Sequence, residues 1–165
     1  MNMEPDSHFH LHPGEIFVTG QGRNIVTLLG SCVAVCFWDP KNKIAGMNHV
    51  VLPKTREGEA PTSRFGNVAT FVLLDMMLEE GAKKENLVTR VFGGASRMSK
   101  KSLHAGFVVG DLNLDITIKV LHKLQLKISH QDVGGELGRR IQFNSRSGEI
   151  EVKYLQRFDF EHEGN

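Results

Sequence analysis

The chain has 165 residues, enough for one domain with a real core and short for two. Its 20 basic and 19 acidic side chains leave a formal net charge of +1, which gives no electrostatic footprint for nucleic acid. Two cysteines at a C-x3-C spacing fit neither a disulfide framework nor a paired zinc knuckle, so a reduced, cytosolic chain is expected; no apolar run approaches the ~18 residues of a membrane helix.

Met1 to Asp6 is acidic and lacks the apolar stretch of a secretory signal. His8, His10 and His12 alternate, and a strand would set all three on one side, as a weak metal site requires. Polar termini are commonly disordered, however, so residues 1–13 are expected to form a flexible tail that holds no metal. Pro13-Gly14 marks the boundary of a single domain over residues 14–154. A strand at 15–19, a turn at Gln21-Gly22 and a second strand at 24–28 open it.

Thr27 to Pro53 reads as a β-hairpin, two β-prone runs flanking the turn residues Asp39, Pro40, Lys41 and Asn42. A turn centred between Pro40 and Lys41 sets Cys32 directly across from His49, with Cβ atoms roughly 4.5 to 5.5 Å apart. A slip of one residue would send them to opposite faces. Gly30 and Ser31 are small, leaving room beside Cys32 for a substrate backbone and for amides aimed at the sulfur. A neighbouring imidazole takes the thiol proton, and the thiolate is then a nucleophile. The plainer reading makes Cys32 a small buried hydrophobe and His49 a satisfied core histidine. Val33, Val35 and Phe37 fall on one side of the strand and Ala34, Cys36 and Trp38 on the other, so both faces are covered in a two- or three-layer domain. Cys36 reads as core. Ser31 lacks the second glycine of a hydrolase elbow and is set aside as nucleophile.

Lys54 to Pro61 is a polar loop at the Cys32 end of the hairpin. Thr62 or Ser63 is the expected cap of a helix carried by Phe65, Val68, Ala69, Val72 and Met76 and ended by Gly81. A strand at 87–92 leads into Gly93-Gly94-Ala95-Ser96, either a simple turn or a loop whose backbone approaches a ligand, with Ser96 as a polar contact. Arg97, Lys100 and Lys101 form a basic cluster, solvated or turned toward an acidic partner. A second helix spans 111–124, with Asn113, Ile116, Thr117, Val120, Leu121 and Leu124 on one side and a wet lysine row on another. A strand at 126–132, a Gly134-Gly135 turn and paired strands at 139–144 and 149–154 follow. Arg139 either closes a pocket or makes an internal salt bridge. Residues 155–165 are expected to be a mobile tail. The element order implies a mixed α/β sandwich.

Gly30-Ser31-Cys32-Val33-Ala34-Val35-Cys36, the Asp39-Pro40 turn, and Gly46-Met47-Asn48-His49 running to Leu52-Pro53 resemble the signature of the CheD family, the chemoreceptor glutamine deamidases of bacterial chemotaxis. Phe92-Gly93-Gly94-Ala95 and Asp132-Val133-Gly134-Gly135, leading to Gly138-Arg139, agree in the same order, so the likeness covers roughly residues 14–153. It implies a three-layer α/β sandwich with helices packed on the sheet. It also implies Cys32 as nucleophile, His49 as general base and acid, and Thr27 as the residue that orients the histidine. Ser31, Gly30, Asn48, Gly94 and Ser96 are the implied surroundings of the substrate. No metal or cofactor is implied. The implied substrate is the glutamine side chain of methyl-accepting chemotaxis receptors, with methyl-glutamate ester hydrolysis in some members, and a CheC-like phosphatase is an implied partner. The alternative is a non-catalytic adaptor that docks receptors or such a phosphatase through the same pocket. A general cysteine peptidase is weaker, because so short a chain shows no separate substrate-cleft domain.

Overall fold

The computed structural model describes residues 7–96 and 105–156. Among these the order is β1 (Ser7–His10), β2 (Ile16–Thr19), β3 (Arg23–Leu29), β4 (Val33–Asp39), β5 (Ile44–Asn48), α1 (Gly66–Glu80), β6 (Val88–Gly93), α2 (Ala105–Lys123), β7 (Ile128–Val133), β8 (Gly138–Asn144) and β9 (Ile150–Leu155). One sheet runs β1-β3-β8-β9 and the other β2-β5-β4-β6-β7.

The expected two-sided burial of β4 explains the layering. Val33, Val35 and Phe37 pack with Ala69, Leu73 and Met77 of α1 and Leu121 of α2. Ala34, Cys36 and Trp38 meet Ile25, Leu29, Ile141 and Phe143 from the opposing sheet. The second sheet therefore lies between the helices and the first sheet. This is the three-layer α/β sandwich expected from the sequence, with one apolar core on each side of the central sheet.

The hairpin forms in a different register. Val33 faces Val50 and Cys36 faces Met47, so in this register His49 falls opposite Ala34 and not Cys32. The cause is the turn. Lys43 adopts φ 55° and extends the loop, while the Asp39 carboxylate accepts from Lys41 N at 2.9 Å and Asn42 N at 3.0 Å. A shift of two positions preserves the face, so Cys32 and His49 remain on the same side, diagonally placed.

Three other expectations are corrected. Residues 7–13 are no tail: β1 pairs in parallel with β3, Phe9 stacks on Phe17 with centroids 3.8 Å apart, and Leu11 is buried. The caps proposed for α1 are not used. Ser63 Oγ donates to the Gly14 carbonyl at 2.6 Å, and the first-turn amides of Gly66 and Asn67 are satisfied by the carbonyls of Leu52 and Pro53 at 2.8 and 3.1 Å. The second helix begins at Ala105, well before position 111. Gly110 lies inside it because a Cβ there would collide with the Ala95 carbonyl. Gly81 ends α1 as expected. The basic cluster Arg97, Lys100 and Lys101 lies outside the described residues, as do positions 157–165 of the expected C-terminal tail, whose first residue, Leu155, is instead buried at the end of β9.

Candidate active site

One end of the sandwich collects the loops that the sequence singles out. There β3, β5, β6 and β7 end, and β4 and β8 begin. The loops are laced through their backbones. Gly94 N donates to Cys32 O at 2.8 Å, Ala95 N to Gly30 O at 2.9 Å, Ser96 N to Gly135 O at 2.8 Å, and Gly134 N to Gly93 O at 2.9 Å. The loop before β4 is thus held by the loop after β6, and that loop by the one after β7.

Two side chains complete the lacing. Arg139 is buried; its Nε pairs with Asp132 Oδ1 at 3.1 Å and its Nη2 donates to Gly134 O at 2.7 Å. Of the two roles left open for Arg139, the internal salt bridge is the one observed. Asn113, from α2, donates through Nδ2 to the carbonyls of Ser31 at 3.0 Å and Val51 at 3.1 Å. The sequence placed Asn113 only on a helix face. Its signal was a polar residue on an apolar stripe, a position that needs a partner.

Cys32 is partly buried against the core between the sheets, while His49 and Thr27 are almost fully buried. The Thr27 hydroxyl lies 2.7 Å from His49 Nδ1 and donates to the Leu11 carbonyl at 2.8 Å. A hydroxyl has a single proton to give. With that proton on Leu11, Thr27 can only accept from the ring, so Nδ1 carries the hydrogen and Nε2 presents a lone pair. Nε2 is buried and has no hydrogen-bond partner among the described residues, the Cys32 thiol included. The direct thiol–imidazole bond expected from the sequence is therefore not formed in this state.

The electrostatics agree with a neutral resting pair. Burial pushes the Cys32 thiol up to about 11. Burial also pulls His49 down to about 4, helped by His12 and opposed by Glu15. Cys36 is fully buried, its thiol pushed up to about 12 by burial, as suits a core residue.

The residues expected around a substrate divide into two groups. Gly30, Ser31, Gly94 and Ser96 do gather at this end, but through backbone groups: Gly30 O, Ser31 O, Gly94 N and Ser96 N are all taken up in the lacing. Asn48 is corrected. Fully buried, it points into the helix-side layer, where Oδ1 accepts from Val35 N at 2.8 Å and Nδ2 donates to Thr70 Oγ1 at 3.3 Å. It lies away from Cys32 because it occupies the face of the chain opposite to its neighbour His49. Asn48→Ala is expected to strand the Val35 amide and cost about 2–3 kcal/mol of stability, read by urea denaturation. Of the alternating histidines, the His8 and His10 rings lie 6.1 Å apart and His12 bonds Glu15 at 2.7 Å; among the described residues no group of three ligating side chains occurs.

The family model described as CheD chemotactic sensory transduction matches residues 51–154. A protein of Sulfurimonas denitrificans named "Probable chemoreceptor glutamine deamidase CheD" is 36% identical over 151 residues, 92% of this chain and 96% of that protein. One of the same name from Trichlorobacter lovleyi is 37% identical, over 88% of this chain and 89% of that one. Anaeromyxobacter dehalogenans has a "Probable chemoreceptor glutamine deamidase CheD 1" that is 38% identical, over 88% and 84%. Among solved structures, the hypothetical protein YfiH of Bacillus licheniformis superimposes with a TM-score of 0.43 at 10% identity, over 73% of this chain and 49% of that one, too distant to bear on the site. A family-model match over more than half of the chain, with relatives more than 30% identical aligned nearly end to end, means that the chain belongs to the CheD family.

Proposed function

We propose that this chain is a chemoreceptor glutamine deamidase working through a Cys32 thioester, in the cytoplasm, where free thiols such as Cys32 and Cys36 persist. The observation that carries the reading is the Thr27–His49 contact, which leaves Nε2 as an unpartnered base on the face that Cys32 shares. Relatives covering most of the chain bear the same name.

The chemistry follows from a neutral pair. As a glutamine γ-carboxamide enters, Cys32 Sγ attacks the carbonyl carbon while Nε2 takes the thiol proton. The amides of Ser31 and Cys32, which have no backbone partner among the described residues, would receive the oxyanion. Collapse breaks the C–N bond, and the imidazolium gives its proton to departing ammonia. Water then attacks the thioester, deprotonated by the same nitrogen, and glutamate and the thiol are released. The net change is amide plus water to carboxylate plus ammonium. The same thioester serves a methyl-glutamate ester, with methanol leaving in place of ammonia. On a receptor helix each turnover adds one negative charge and creates a site for methylation.

A CheC-like phosphatase is the further partner of this reading, docking on the same pocket. The test is incubation with a receptor cytoplasmic fragment. Ammonia release should match the amide-to-acid mass change, and Cys32→Ala should abolish both. Binding of the fragment by the wild-type chain with every glutamine left intact would defeat the deamidase in favour of the adaptor.

A further inference from the structure

The N-terminal strand reaches the candidate base at two points. Leu11, just past β1, is buried; its N–H donates to Val26 O at 2.8 Å, and its carbonyl takes the Thr27 hydroxyl proton at 2.8 Å. Gly14 N then donates to the His49 carbonyl at 2.9 Å, and Ser63 holds the Gly14 carbonyl from the far side. The segment between Leu11 and Glu15 therefore grips His49 by its backbone and, through Thr27, by its ring.

The choice of tautomer follows from proton counting. If Nε2 carried the hydrogen, Nδ1 would present a lone pair to Thr27. Thr27 would then either face it oxygen to lone pair at 2.7 Å, or turn its own proton to the ring and leave the Leu11 carbonyl unsatisfied in a buried site. Both alternatives are unfavourable, and the common cause is the main-chain carbonyl of Leu11. We propose that this carbonyl is a positioning group of the active site: by holding the Thr27 proton it selects the Nδ1–H tautomer of His49 and keeps Nε2 as the proton acceptor. Its importance for turnover rests on His49 acting as the base, but the tautomer assignment does not.

The full chain can be assembled by ligation at Cys32, which permits an ester in place of the Leu11–His12 amide and so a weaker Leu11 acceptor. The readout is the two-bond nitrogen–proton pattern of His49 in substrate-free protein, identified by its loss in His49→Gln. Wild type and Thr27→Ser should show one tautomer, protonated on Nδ1. The ester chain and Thr27→Val should show a mixture, with kcat down by roughly tenfold in the ester chain and KM little moved. The ester also removes the His12 N–H that bonds Glu15. Glu15→Ala loses the same bond with the Leu11 amide intact, and should keep the single tautomer. A single Nδ1–H form in both the ester chain and Thr27→Val overturns the proposal, as does a wild-type ring protonated on Nε2. A wild type protonated on Nδ1 that deamidates nothing would remove the proposed function and leave this assignment standing.

Discussion

His49→Gln is expected to lower kcat/KM at pH 7 by about four orders of magnitude and to leave a residual rate that climbs tenfold per pH unit. The magnitude comes from the sulfur. A thiol held at about 11 by burial is ionised in only about one molecule in ten thousand at pH 7. In the proposed mechanism wild type does not depend on that fraction, because Nε2 removes the proton during attack. Without the imidazole the rate must follow the rare thiolate, rising until pH passes about 11. The acid side has an equally definite sign. The base works only unprotonated, and burial, with His12 acting in the same sense against Glu15, lowers His49 to about 4. Activity should therefore persist as pH falls through 6.5, where an ordinary imidazole would fail, and be lost only near 4. Profiles of kcat/KM for wild type and variant decide the matter. A wild-type acid limb at 6.5, or a variant whose rate ignores pH, would dismiss the neutral-pair mechanism.

Gly93→Ala should be the most damaging single methyl in the chain, costing about 3 kcal/mol or more and removing most activity in what remains folded. Gly93 ends β6 at φ 103°, a conformation that an L side chain resists. A Cβ there would run into the Cys32 carbonyl oxygen and come within 3.2 Å of Leu29 Cδ1. Neither obstacle can step aside cheaply. The carbonyl accepts from Gly94 N, Gly93 is paired with Val33 and Val133 on both sides, and Leu29 belongs to the core between the sheets. Relief therefore has to come from the Cys32 loop itself. Thermal unfolding and the rate per folded molecule should fall together. A variant with wild-type melting and wild-type turnover would show that the nucleophile loop is not set by this contact.

The layers were legible because β4 advertises them: its alternate residues are apolar on both sides, and each set found its own core. The hairpin was legible in its faces but not in its register. Asp39 reads as a turn residue, yet its carboxylate also accepts from Lys83 N at 2.9 Å, a partner far along the chain, and nothing local announces a left-handed Lys43. β1 was misread because Ser-His-Phe-His leaves most of its side chains exposed; the strand forms through backbone pairing with β3 and the Phe9–Phe17 stack. The early turns of α2 include Gly110, a poor helix former by propensity, and it is this glycine that allows the helix to approach the Ala95 loop. Of the candidate site, local spacing put Cys32 and His49 on one face but wrongly directly opposite each other, and Thr27 entered only through the family likeness. The Leu11 carbonyl could not be read, since a backbone acceptor has no signature in a sequence.

The burial that raises the Cys32 thiol also has a consequence for its oxidation. Oxidants attack thiolates, so a sulfur that stays protonated well above physiological pH offers them almost nothing to convert to sulfenic acid. In the proposed mechanism the sulfur would become reactive only while Nε2 withdraws its proton toward a bound amide. On that reading Cys32 would be spared from oxidants between turnovers and reactive toward its substrate alone.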